Sequence, residues 1–124
     1  MSERSQLIRD FNDILGNLLQ QLAPKIGTTY HHYFTKFIKI NAVTPINNFW
    51  YYAEDLEEKI MKKDETYFTN ADNHKEKVNS DKGLDEILRL KGIYEELDKE
   101  GRKNLWDITQ GLFILAKQYK LSKS

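Results

Sequence analysis

Between Leu7 and Leu22 the chain places Leu7, Ile8, Phe11, Ile14, Leu15, Leu18, Leu19 and Leu22 at helical spacing. At about 100° per residue these side chains fill one arc of about 120–140°, with Arg9, Asp13, Gly16 and Gln20 opposite. Such a period does not fit a strand, whose side chains alternate between two faces. The segment forms a helix, and that helix must bury its stripe against other elements. Pro24 and Gly27 punctuate the chain after it.

The second segment, TTYHHYFTKFIKIN at 28–41, starts at Thr28, a residue suited to capping a helix. Tyr30, Tyr33, Phe34, Phe37, Ile38 and Ile40 gather on one face, with His32, Lys36 and Lys39 on the other. Its aromatic and β-branched content also suits a strand, but alternation fails at Tyr33–Phe34 and at Phe37–Ile38, which favours a helix. A third helix opens at Thr44-Pro45, a cap followed by proline at the first helical position. Ile46, Phe49, Ala53, Leu56 and Ile60 make its stripe, Trp50 and Tyr52 its edges, and Tyr51 points away.

Residues 69–83 are almost wholly polar, a loop whose length implies function or mobility. Ser80 or Asp81 is positioned to cap a fourth helix reaching about Leu97. Its stripe drifts between Leu84/Leu88 and the Leu90, Ile93, Tyr94, Leu97 set, which implies a kink near Gly92 or a helix that touches two neighbours. Asp98 caps the last helix, where Leu105, Ile108, Leu112, Leu115, Ala116 and Tyr119, widened by Trp106 and Phe113, occupy about half the circumference. The expectation is an all-α, compact single-domain bundle of four to five helices spanning residues 1–124, with this last helix central.

Composition excludes much chemistry. The 124 residues contain no cysteine, so thiol nucleophiles, disulfides and thiolate metal sites are ruled out. The six glycines are scattered singly and form no phosphate-cradling loop. His31 and His32 are adjacent, so their side chains diverge on a helix, and His74 lies in the polar loop between Asp72 and Glu76. No spacing typical of a metal site, a glycine-elbow serine or an EF-hand occurs. The reading is therefore non-enzymatic, with no catalytic, cofactor-binding or metal-ligating residues assigned.

Nineteen basic residues balance nineteen acidic ones, whereas a dedicated nucleic-acid binder needs a basic excess. A local basic end exists nonetheless, and Arg102, Lys103, Lys117 and Lys120 are its candidate phosphate contacts. Protein contact is favoured by the aromatic content of 12%. Trp50 at a stripe edge, Tyr51 off the stripe of the third helix and Ile114 opposite the core arc of the last are the candidate contact residues. The sequence leaves self-association open. The N-terminus, MSERSQLIRDFND, is unlike a secretory signal, and the longest uncharged apolar run, LFILA, is too short to span a bilayer. A soluble intracellular protein, not inserted in a membrane, is expected.

Two stretches, EEKIMKKDETYF at 57–68 and LRLKGIYEELDKEGRKNLWDITQGLFILAKQY at 88–119, resemble a pattern in small helical proteins of nucleocytoplasmic large DNA viruses, the giant viruses of algae and amoebae among them. The first resembles it as an amphipathic helix followed by Lys-Asp-Glu and a pair of aromatics, the second as an aromatic, a polar turn with a basic residue, a tryptophan and a closing apolar helix; Tyr94 stands where that pattern often has tryptophan. The resemblance implies a minor virion component or assembly factor, located in host cytoplasm or virion. Its alternative is an accessory factor of viral transcription or replication. It carries over no catalytic residue. Tyr67 and Phe68, which close KKDETYFTN just before the polar loop, read as an aromatic plug under the end of the third helix.

Overall fold

The computed structural model describes residues 3–69 and 82–122. Among these the chain is all-α, with no strand. The helices are α1 (Glu3–Ile26), α2 (Thr29–Ile40), α3 (Thr44–Ala53), α4 (Glu57–Met61), α5 (Thr66–Thr69), α6 (Lys82–Arg89), α7 (Lys91–Glu95) and α8 (Lys99–Leu121). Five of them, α1, α2, α3, α6 and α8, have eight residues or more. The expected count of four to five substantial helices matches these, and the others are one-turn pieces.

The leucine stripe of α1 is buried as its spacing requires: Leu7, Phe11, Leu15, Leu18, Leu19 and Leu22 are all core residues. The helix runs through Pro24 for two further residues. Proline has no N–H to offer the Gln20 carbonyl, and both Pro24 and Gln20 are exposed, on the solvent side of the helix end. Gly27 ends the helix with φ +86°, donating its N–H to the Ala23 carbonyl at 2.8 Å. A side chain there would strain the left-handed backbone that closes the last turn.

Helix α8 packs most extensively on α1, and also on α3 and α4, as its wide apolar arc demands. Leu105, Trp106, Leu112, Phe113, Ala116 and Tyr119 are buried, while Ile108 and Leu115 pack at the margin of the core. Helix α6 closes against α3 and α2. One apolar cluster joins all these elements, and Tyr67 and Phe68 belong to it with no exposed surface.

Several local expectations are corrected. Neither Thr28 nor Thr44 makes a capping bond: Thr28 already has helical dihedrals, and Thr44 is itself the first residue of α3, after Val43. A true cap needs an extended backbone to aim the side chain at the first turn. Asp98 has it, with ψ −178°, and accepts the Gly101 N–H at 2.8 Å. The third helix is not continuous to Ile60; a 3₁₀ turn at Glu54–Leu56 separates α3 from α4. The kink expected near Gly92 occurs at Leu90, where φ is +62° between α6 and α7. The break lies at a leucine because that residue is wholly buried, and packing overrides its backbone preference. Ile40, assigned to the stripe of α2, is 81% exposed at the helix end.

Most of the expected 69–83 loop (70–81), with the Ser80 or Asp81 cap and His74, lies outside the described residues. Among the described residues no helix is long and apolar enough to cross a membrane.

Candidate protein-contact site

One face of α3 carries Thr44, Asn47, Asn48 and Tyr51, and Glu54 follows directly after the helix on the same side. The opposite face buries Ile46, Phe49 and Ala53, which fixes the orientation of the helix. The first face lines a cleft of about 330 Å³ whose further walls are Trp50 and, from the C-terminal turn of α8, Lys120. Trp50 is half-buried, its ring 5.5 Å from that of Phe113 and tilted by 34°, so it both docks α3 on α8 and reaches the cleft. Tyr51 is half-buried too, meeting the ring of Tyr52 edge-on at 5.4 Å. Glu54 and Lys120 give the cleft one charge of each sign.

Two of the three residues expected to contact a partner, Trp50 and Tyr51, thus share this cleft, and Lys120 from the phosphate-contact set joins them. Tyr51 does not stand clear of the protein as its off-stripe position implied; it packs against the core margin. Ile114 is 49% exposed on α8 and does not line the cleft.

The four basic candidates do not form one patch. Arg102 and Lys103 lie in the first turns of α8 and Lys117 and Lys120 in its last, which at 1.5 Å per residue separates the pairs by about 20–27 Å. Arg102 is committed within the fold: its guanidinium lies 4.3 Å from the centroid of the Tyr94 ring, and its Nε donates to the Tyr94 carbonyl at 3.2 Å. Lys117 pairs with Glu57 of α4 at 3.1 Å. Lys120 lies 5.9 Å from the Tyr119 ring, over which Arg4 is also placed at 4.2 Å.

Tyr67 and Phe68 form an aromatic group with Tyr94 and Trp106. Phe68 lies 4.6 Å from each of the latter two rings, and Tyr67 6.2 Å from Trp106. Burial pushes the Tyr67 hydroxyl well above the ordinary tyrosine range. The Tyr94 hydroxyl donates to Glu65 at 2.9 Å, and burial and then that carboxylate raise its pKa. Tyr30 behaves alike: burial and its hydrogen bond to Glu86, at 2.9 Å, raise it.

A second concavity, of about 400 Å³, lies between the N-terminal half of α1 and the turn joining α2 to α3. Ile8, Ile38 and Val43 line it, flanked by Arg9 and Asp13. The α1 side was assigned in sequence to core stripe and solvent face, with nothing to show that the α2–α3 turn would rise beside it. The apolar Ala42-Val43 in a turn was the available signal.

His31 and His32 have ring centroids 6.1 Å apart, and among the described residues no group of three histidine or carboxylate side chains is placed to hold a metal ion. No known protein family, curated protein or solved structure matches the chain.

Proposed function

We propose that the protein is a non-enzymatic interaction protein that receives a segment of a partner protein in the cleft between α3 and the end of α8. The observation carrying this reading is the presence of Trp50 and Tyr51, both half-buried, in one cleft. Half-buried aromatics are already ordered, so a partner gains contact area without paying much side-chain entropy, and aromatic anchors inside a polar rim are typical of binding hot spots. Asn47, Glu54 and Lys120 supply such a rim. The resemblance of residues 57–68 and 88–119 to small proteins of large DNA viruses supports a partner within a virion or its assembly machinery. The nucleic-acid alternative is weaker, since Arg102 and Lys117 have other partners and the basic pairs stand far apart.

The test is site-specific photocrosslinking in the native source from position 47, with exposed Lys36 as the control position. One protein species is expected from position 47, reduced by Tyr51→Ala or Lys120→Glu while the melting temperature stays close to that of the parent. Equal labelling from both positions sinks the cleft reading.

A further inference from the structure

Acidic residues are distributed unevenly along the chain. From Ile14 to Ala53 there is no aspartate or glutamate, although the sequence has nineteen in all. Helix α2 lies inside that window and turns its cations outward. At about 100° per residue, His32, Lys36 and Lys39 fall within about 60° of one another, opposite the wholly buried Phe34. All three are exposed. Lys25, Lys62, Lys63 and Lys117 each pair with a carboxylate, whereas Lys36 and Lys39 take part in no ion pair among the described residues. Asp13 lines the groove on the Ile38 side of α2, about 100° or more around the helix from either lysine.

An apolar side chain stands beside these cations. Ile40 lies about 40° beyond Lys36 around the helix and is 81% exposed. Val43, in the turn three residues on, is 41% exposed. Asn12 holds that turn in place, its Nδ2 donating to the Ala42 carbonyl at 2.9 Å. An isoleucine this exposed protrudes, which suits a soft apolar medium. Lysines beside a protruding aliphatic, in a segment with no carboxylate to repel an anion, match the boundary of an anionic bilayer, where charged headgroups lie over acyl chains. Nucleic acid would answer the lysines but leave Ile40 in water. We infer that the protein docks on anionic lipid membranes through the outer face of α2, with Lys36 and Lys39 against the headgroups and Ile40 entering the interface. The contact lies on the bilayer and does not span it; among the described residues no helix is long and apolar enough to do so.

Co-sedimentation of the full chain with vesicles tests this. Binding is expected to phosphatidylcholine vesicles containing about one third phosphatidylserine, not to phosphatidylcholine alone, and should fall as salt rises. Lys36→Gln and Lys39→Gln should each weaken it about fivefold. Lys99→Gln together with Lys103→Gln, an equal loss of charge at the start of α8, should leave it unchanged. Ile40→Ser should weaken binding about tenfold at every salt concentration, which a purely electrostatic contact would not show. All five side chains are exposed, so these variants keep the fold, and their melting temperatures check it. A parent chain that binds neither vesicle overturns the proposal, as does an equal loss from the α8 pair. Indifference to Ile40→Ser overturns it too; salt-dependent binding of duplex DNA through the same lysines would then assign the face to nucleic acid.

Discussion

The rings of Phe68 and Tyr94 are stacked, with centroids 4.6 Å apart and planes 16° from parallel, and this pair joins α5 to α7. Phe68 has no exposed surface and also meets Trp106 at 4.6 Å. Removing it vacates the space between three elements. Phe68→Ala should therefore cost about 3–5 kcal/mol, against about 1–1.5 kcal/mol for Phe68→Leu, which keeps most of the volume. Urea unfolding monitored by tryptophan fluorescence reads both, and a loss below about 1 kcal/mol for the alanine variant would deny Phe68 its plugging role.

Among the described residues two non-glycine positions hold positive φ, Lys63 at +56° and Leu90 at +62°, and the same substitution should act on them with opposite sign. Glycine relieves about 1 kcal/mol of backbone strain at either position. At Leu90, wholly buried, it also deletes a core side chain worth about 2–5 kcal/mol, so Leu90→Gly destabilises. At Lys63 it removes only an exposed ion pair to Asp107, 3.1 Å long, worth at most about 1 kcal/mol. Lys63→Gly should keep or raise the melting temperature while Leu90→Gly lowers it by calorimetry.

These two positions also mark how far the sequence could be read. The stripes of α1 and α8 are repeated over about four turns each, so periodicity alone gave their buried faces, and Asp98 could be recognised as a cap because its role is local. The break at Leu90 was displaced to Gly92 because residue type reports what a backbone prefers, not what a core forces on it. Similarly Tyr51 was placed outside on helical angle alone, whereas its ring leans along the helix onto Tyr52. The cleft was half legible: Trp50 and Tyr51 were found from their misfit to the stripe. That Lys120 would join them depends on where α8 ends against α3, a tertiary fact with no local signature.

Acid should weaken the fold partly through Asp98. The Gly101 N–H, then Lys25 at 3.0 Å, hold its carboxyl below the ordinary aspartate range. A folded-state pKa below the unfolded one gives stability that is present above about pH 3.9 and lost as pH falls through the folded value. Asp98→Asn keeps an acceptor for Gly101 but does not titrate. Its melting temperature should be lower than the parent's at pH 6, with the difference narrowing at the acid end; a constant difference would remove Asp98 from the acid limb.

Alkali should act through Tyr94, in the other direction. Burial and then Glu65 raise its pKa, so its contribution is complete below about pH 10 and is lost as pH rises through the folded value. Tyr94→Phe keeps the ring against Phe68 and under Arg102 but removes the donor to Glu65. The variant should lose a little stability near neutrality and show a flatter alkaline limb in melts followed by circular dichroism. An unchanged alkaline limb would mean that the Tyr94 hydroxyl does not contribute to it.

Gly16 in α1 and Gly111 in α8 leave stability unused. A Cβ on Gly111 would meet nothing within 4 Å among the described residues, and one on Gly16 would reach the Phe34 ring at 3.8 Å, an ordinary van der Waals contact. Neither position has positive φ, so alanine should gain the helix-propensity difference of about 0.5–1 kcal/mol at each. Gly83, in the first turn of α6, is the counter-case: a Cβ there would lie 2.9 Å from Cζ of Tyr33. Tyr33 is itself stacked on Phe37 at 6.2 Å, so its ring can move only by giving up that contact. Gly16→Ala and Gly111→Ala should each raise the denaturant midpoint, and the pair should add, because α1 and α8 meet through other faces. Gly83→Ala should gain less than either or lose stability outright. A gain at Gly83 equal to that at Gly111 would show that Tyr33 yields freely and that α2 and α6 are not held together through it.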